Sequence, residues 1–165
     1  AIACCIVAYL NWEYSDKWDN SFTSTENIYR VQFWREFQGS KERYGIIPMP
    51  LAGYIKQNIK DVKAVTRYHT AYSDMRIGDE IFGTQMAFAD SSFFTFFDYE
   101  LKYGSFDNFY DRSQIFISDE TARKYFNRED VVGEMLTQII LDKNGLRNPK
   151  EFIIGGVFKK KPSNN

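Results

Sequence analysis

The sequence predicts a mixed α+β fold. Ile28–Phe37 alternates with a period of two, Leu51–Ile59 follows helical spacing, and Val62–Tyr72 returns to strand character. β-Branched and aromatic residues at period two are typical of strands, whereas apolar residues at i, i+3 and i+4 mark one face of a helix. Residues 28–72 are therefore predicted to form a strand–helix–strand arrangement, a βαβ-like unit.

The predicted helix follows Pro50, a residue well tolerated at the start of a helix. Leu51, Tyr54, Ile55 and Ile59 share one of its faces, which is expected to pack on the flanking strands. The turn after the first strand is expected at Gly39-Ser40-Lys41. The elements predicted further on are a hairpin over Arg76–Ala89 turning at Gly78-Asp79, a short helix after Asp90-Ser91-Ser92, a strand at Gln114–Ser118, a helix from Ser118 to Phe126, strands at Glu134–Leu141 and Glu151–Phe158, a turn at Asn144-Gly145 and a bulge at Gly155-Gly156.

Composition limits the class of protein. The 165 residues suffice for one domain or two small subdomains, and the hydrophobic share of 44% is that of a globular chain. The net charge of -1 does not support nucleic-acid binding, which needs a basic excess or a basic stripe.

The N-terminal run Ala1–Leu10 is apolar and uncharged, and Trp12 and Tyr14 follow it. A membrane helix needs about 20 apolar residues, and aromatic residues gather where such a helix leaves the bilayer. We interpret Ala1–Leu10 as the outer end of a transmembrane helix. A buried strand or the start of a core helix is the alternative.

No segment predicts a catalytic, cofactor-binding or metal-binding site. His69 is the only histidine, and Cys4 and Cys5 are adjacent, so no ordinary zinc-ligand spacing exists. No phosphate-binding glycine loop, calcium loop or glycine-flanked serine is present. The chain is therefore expected not to be an enzyme and to bind no cofactor and no metal.

The candidate site is an aromatic cluster of Phe93, Phe94, Phe96 and Phe97. One interpretation is a surface that binds a partner. The favoured interpretation is a core plug for a small subdomain, because apolar residues at helical spacing usually face a core.

Several short motifs follow one another in a specific order and spacing along the whole chain. In that order the chain resembles the periplasmic core domain of MacB-like and FtsX-like ABC transporter permeases, particularly those of Bacteroidetes type. The motifs that carry the resemblance are Glu13-Tyr14-Ser15-Asp16-Lys17-Trp18, Asn27-Ile28-Tyr29-Arg30-Val31, Pro50-Leu51-Ala52, Ala89-Asp90-Ser91-Ser92-Phe93-Phe94, Phe97-Asp98-Tyr99-Glu100-Leu101, Ala122-Arg123-Lys124-Tyr125-Phe126, Asp130-Val131-Val132-Gly133-Glu134 and Gly156-Val157-Phe158.

The resemblance implies a porter-like βαβ lobe with a smaller mixed α/β lobe inserted into it. Residues 1–10 would then be the outer end of a transmembrane helix, 11–27 a juxtamembrane connector, 28–73 the first βαβ unit and 74–165 the inserted lobe. The family's second βαβ unit would lie after Asn165, so the chain is expected to be truncated after the inserted lobe.

The resemblance also implies a function in transport. The domain would face the periplasm from a bacterial inner membrane, transmit motion driven by a cytoplasmic ATPase subunit or domain, and engage cargo or partner proteins. Further expected partners are a second permease copy and the membrane itself, through the N-terminal helix. A ligand-binding module or the sensor ectodomain of another membrane-anchored protein is the alternative, and the sequence names no cargo.

Overall fold

The computed structural model describes residues 2–16, 25–141 and 147–161, and these contain both helices and strands. The chain divides into two units, one comprising the described residues up to Val65 and the other Thr66–Lys161. The elements in chain order are α1 (Ile2–Asp16), β1 (Phe33–Phe37), β2 (Ser40–Tyr44), α2 (Leu51–Asn58), β3 (Tyr68–Ile77), β4 (Glu80–Ala89), α3 (Phe93–Phe96), β5 (Leu101–Gly104), β6 (Gln114–Ser118), α4 (Asp119–Phe126), β7 (Met135–Leu141) and β8 (Arg147–Phe158), with short 3-10 turns at Thr25–Asn27 and Phe106–Asn108.

The first unit contains α1, α2 and a two-stranded hairpin. Strands β1 and β2 pair antiparallel through the two-residue turn Gln38-Gly39, in which both residues have positive φ. The predicted turn at Gly39-Ser40-Lys41 is thus displaced, because Ser40 already pairs with Phe37. The predicted strand at Ile28–Phe37 is shorter than expected, since only its last five residues pair with a neighbouring strand.

Helix α2 confirms the predicted helix within one residue. Its predicted apolar face is only half covered: Leu51 and Ile55 are partly buried, whereas Tyr54 is 63% exposed and Ile59, the residue after the helix, is also exposed. Helix α1 continues past the predicted end at Leu10 to Asp16. Within the described ranges, no helix combines the length and the apolarity that a membrane crossing requires.

The second unit is built on a six-stranded sheet. The strand order is β4-β3-β7-β8-β5, and β6 pairs in parallel with β8, whereas the other neighbours are antiparallel. The predicted hairpin is confirmed with its turn at Gly78-Asp79, and so is the bulge in β8, where the register to β6 passes from Ile154 to Gly156. The predicted turn Asn144-Gly145 lies outside the described residues.

The described residues do not form the predicted βαβ unit. β1 pairs with β2, whereas β3 pairs with β4 and β7, so the two strands expected to flank α2 belong to different sheets. The second of them begins at Tyr68 rather than Val62, because pairing with β4 starts at Ala89. Accordingly, the second compact unit begins at Thr66, ahead of the predicted boundary at 73/74.

Two clusters pack on opposite faces of this sheet. On one face α4 covers a hydrophobic core. Successive strand residues point to opposite faces, so Phe116 lies on the other face from its neighbour Ile117, among aromatic rings. The hydrophobic core consists of Met75, Met86, Ile117, Ala122, Val131, Leu136, Phe152, Ile154 and Val157.

Candidate functional site where the chain enters and leaves the second unit

Helix α3 lies at the centre of an aromatic cluster, which we call the Phe94 cluster. Phe94 is only 7% exposed, and the other three candidate phenylalanines, Phe93, Phe96 and Phe97, are partly buried. Phe94 therefore contributes to the core of this unit, and its neighbours leave part of their rings accessible. The rings within 6 Å of that of Phe94, centroid to centroid, are Phe93, Tyr99, Phe106, Phe109, Phe116 and Phe158.

The chain enters the second unit against the segment that precedes α3. The carboxylate of Asp90 accepts hydrogen bonds from the backbone N–H and the guanidinium of Arg67, with Nη2 at 2.7 Å from Oδ1. The Asp90 N–H donates to the Arg67 carbonyl at 3.2 Å, and the ring of Tyr68 stacks on Phe93 at 5.3 Å. The hydrogen bond from Arg67 lowers the pKa of Asp90.

The chain leaves the unit along the other side of the same segment. The N–H of Lys159 donates to the Glu100 carbonyl at 3.0 Å, and Nζ of Lys161 donates to the Phe97 carbonyl at 3.0 Å while lying 5.3 Å from the Tyr99 ring centroid. Burial lowers the pKa of Lys161. Asp90–Glu100 thus holds both ends of the second unit; we call this segment the junction segment.

An ionic network next to the junction segment holds the C-terminal end of the second unit. Asp119, 6% exposed, accepts a hydrogen bond from the Lys160 backbone N–H at 3.0 Å and forms an ion pair with Lys102 at 2.6 Å. Lys102 also pairs with Glu129 at 3.3 Å, and Arg123 contacts both carboxylates. Although burial acts to raise the pKa of Asp119, the hydrogen bonds from Lys102 and from the Lys160 N–H, together with the charges of Lys102 and Arg123, outweigh it and lower that pKa.

The sequence placed Asp90 just before a predicted helix and gave Asp119 no role beyond its position in the first turn of the helix predicted from Ser118. The N-terminal cap of α4 is Ser118, whose Oγ accepts a hydrogen bond from the Thr121 N–H at 3.1 Å. Asp119 instead takes part in the ionic network. At α3, Ser92 makes no side-chain cap bond and Asp90 binds Arg67. The long-range partners of these two carboxylates lie 17 to 41 positions away in the sequence. Such contacts leave no local sequence pattern, so the sequence analysis did not predict them.

The described residues show no grouping of three or more His, Cys, Asp or Glu side chains that could hold a metal ion. His69 is exposed on β3, and Cys4 and Cys5 are exposed and unpaired with each other on α1. The contacts of the junction segment and of the ionic network hold the two chain ends of the second unit.

The chain belongs to the family of MacB-like periplasmic core domains, whose model matches residues 2–165. Its fold is also that of solved permease domains. A domain of a protein assigned as a permease, from Porphyromonas gingivalis, is 26% identical with a TM-score of 0.62, over 75% of this chain and 51% of that one. The periplasmic region of MacB from Actinobacillus actinomycetemcomitans is 14% identical with a TM-score of 0.52, over 67% of this chain and 50% of that one.

The chain thus spans about half the length of these solved relatives. No curated protein sequence matches it. The mixed α/β fold and the identification with MacB-like permease domains, first suggested by the order of the sequence motifs, are confirmed.

Proposed function

We propose that this chain is the periplasmic domain of an ABC permease in a bacterial inner membrane, where it transmits ATPase-driven motion and engages cargo or partner proteins without catalysis of its own. Family membership supports the transporter class. The junction segment supports the proposed transmission of motion. Both chain ends of the second unit are hydrogen-bonded to it, so displacing either end should move the unit as one body.

The N-terminal helix supports attachment to the membrane. Its apolar residues are exposed along α1, including Ile2, Ile6, Val7 and Leu10. A contiguous exposed apolar surface is typical of a site that contacts a membrane or a partner protein. We propose that α1 continues a membrane helix of the intact permease, with the ATPase and a second permease copy as the further partners.

Fluorescence transfer to the membrane tests the transmission. A donor is attached to Asp79→Cys, at the exposed turn of the β3–β4 hairpin, in the intact permease with its ATPase and with Cys4→Ser and Cys5→Ser. Acceptor lipids in the bilayer report the distance between the hairpin and the membrane. Trapping the ATPase with ATP and vanadate should change the transfer efficiency. An efficiency that is identical in the nucleotide-free and trapped states would contradict the proposal.

The junction segment has its own matched variants. Asp90→Asn with Lys161→Met removes the entering and leaving contacts, and should shrink the nucleotide-dependent change while ATP hydrolysis continues. Asp130→Asn with Lys124→Met removes the same charges outside the junction segment and should leave the change intact. Equal changes in the two double variants would show that the junction segment does not carry the motion. Nucleotide-independent binding of a small ligand would favour the sensor alternative.

A further inference from the structure

Strand β4 forms an unprotected edge of the large sheet. Among the described residues it pairs with β3 alone, in a register unbroken from Glu80 to Ala89. Edge strands are commonly protected from further pairing by charges, prolines, bulges or shortness. β4 has ten residues, no proline and no bulge, and its one charged side chain, Glu80, stands next to the turn.

The opposite edge of the same sheet is β6, because β6 pairs along one side of β8 while β7 and β5 pair along the other side. β6 has only five residues, and its register to β8 shifts between Ile115 and Phe116. It therefore has two of the protections that β4 lacks, shortness and an irregular register. The contrast within one sheet indicates that β4 is the edge open to further pairing.

The hydrogen-bond phase of the hairpin identifies the free backbone groups. The Asp90 N–H donates to the Arg67 carbonyl, so even-numbered residues of this segment bond to β3. In an antiparallel pair, the intervening residues direct their N–H and C=O groups to the other side. The residues with outward backbone groups are Ile81, Gly83, Gln85, Ala87 and Ala89.

We propose that β4 pairs antiparallel with β4 of a second copy of this chain, about a two-fold axis at Gln85. This register places Ile81 opposite Ala89 and Gly83 opposite Ala87 of the second copy, so all outward backbone groups find partners. Gly83, Ala87 and Ala89 have no side chain or a small one, so they do not hinder the approach of the two strands. The register with the longest overlap is therefore also the one that a two-fold axis generates.

The side chains of β4 favour its own copy as occupant. Residues 81–89 carry no charge, so no like charges meet across the pair. On the core face, Phe88 is 49% exposed and would lie opposite Phe82 of the second copy. Glu80 would lie opposite Asp90 of the second copy, whose charge Arg67 compensates at 2.7 Å. Burying Phe88 supplies the apolar contact that backbone pairing alone lacks.

The expected dimer is weak. A single strand edge buries less than the roughly 800 Å² per partner of a standard stable interface. The proposal concerns this chain alone and does not depend on transport or on the ATPase. Its failure would thus leave the proposed function untouched.

Disulfide trapping tests the register in the full chain with Cys4→Ser and Cys5→Ser. Gln85→Cys places two thiols across the axis with Cα atoms about 5.5 Å apart, within disulfide range. Tyr72→Cys is the matched control: it neighbours Gln85 on β3, shares its face and is 86% exposed. Its copies would lie about 14 Å apart, three strand spacings. Gln85→Cys should cross-link at least about tenfold faster, since only its thiols come within disulfide range.

A backbone variant tests the pairing itself. Ala87→Pro removes an outward N–H without touching the bonds to β3, whereas Ala87→Val keeps that N–H. Proline should suppress cross-linking through Gln85→Cys and shift sedimentation equilibrium to monomer, and valine should do neither. If the proline variant does not fold, Gly83→Lys with Ala87→Lys places like charges directly opposite each other in the pair and should have the same effect. Equal cross-linking of Gln85→Cys and Tyr72→Cys, no cross-linking of either, or a proline variant that dimerises normally would overturn the proposal.

Discussion

Within the run of phenylalanines, neighbouring residues have different surroundings. Phe94 meets six other rings and is almost fully buried, whereas Phe96 is partly exposed and its ring lies 4.9 Å from that of Phe97. Helical geometry accounts for the difference, because positions two apart on a helix point in different directions. The two interpretations drawn from the sequence, core plug and partner surface, thus concern different members of the same run.

Truncating these two residues should show which of them contributes to the stability of the core. Phe94→Ala leaves a large cavity and should lower the free energy of unfolding by about 3–5 kcal/mol. Phe96→Ala should cost about 1 kcal/mol, because little of its contact area is lost. Urea denaturation followed by circular dichroism measures both. Equal losses would mean that Phe96 also belongs to the core and is unavailable to a partner.

Asp119 should make the free energy of unfolding depend on pH in the acidic range. Its pKa is lowered in the folded state, so the carboxylate stabilises the fold above its unfolded pKa of about 3.9, and this contribution is lost as the pH falls through the folded value. Asp119→Asn should therefore lower the free energy of unfolding by about 1–3 kcal/mol at neutral pH. The variant should lose less stability than the wild type between pH 7 and about pH 3.

Urea midpoints across that pH range measure the effect of Asp119. Asp79→Asn, in the exposed turn of the β3–β4 hairpin, is the control for removing one carboxylate and should follow the wild-type curve. Parallel pH profiles for Asp119→Asn and the wild type would show that the network around Lys102 contributes no net stability.

At the scale of elements, local signals were sufficient for α2, α4 and the β3–β4 turn. Caps, helical spacing and the Gly78-Asp79 pair all act within a few residues. Strand extents were less predictable, because pairing partners set them. β2 has four polar residues among its five and both faces exposed, so no alternation revealed it.

Long-range pairing also explains the failure of the βαβ expectation, because β3 pairs with the distant β7 rather than with β1. β8 likewise pairs with β7 along Arg147–Ile153, with β6 along Ile153–Phe158 and with β5 along Gly156–Phe158, a combination that no local pattern contains. Its first four residues are three polar residues and Pro149, and they are extended because β7 pairs with them. The aromatic part of the candidate site was visible as a phenylalanine run, whereas its ionic contacts were not.

β5 and β8 approach each other so closely at Gly104 that this position should not accommodate a side chain. A Cβ there would lie 2.3 Å from the Gly155 carbonyl oxygen, and φ is +86. Gly104→Ala should lower the free energy of unfolding by about 3–5 kcal/mol, from backbone strain and steric overlap together. Gly133 has φ +88, but a Cβ added there would meet nothing within 4 Å, so this position isolates the strain. Gly133→Ala should cost about 1–2 kcal/mol, and equal unfolding midpoints for the two variants would contradict the overlap argument.

Burial is distributed unequally over the whole molecule. Every buried hydrophobic residue of the described chain lies between Met75 and Val157, inside the second unit. In the first unit, residues 2–13 and 26–65, which include α2, contain no fully buried residue. Because apolar burial supplies most of the free energy that opposes chain entropy, the stability of this chain should come from the second unit.

A fragment comprising Thr66–Lys161 should therefore fold alone. Its urea midpoint should agree with that of the full chain within about 10–15%, the usual uncertainty of such measurements. Hydrogen exchange in the full chain should show the same division: amides of β3, β7 and β8 exchange slowly because their opening requires global unfolding, and amides of the β1–β2 hairpin exchange rapidly because local opening suffices. A fragment that stays unfolded, or a hairpin protected as strongly as β8, would show that the first unit contributes to a common core. That outcome would mean that the second unit depends on the first for its stability, and it would remove the basis for treating the second unit as one body that the junction segment grips at its two ends.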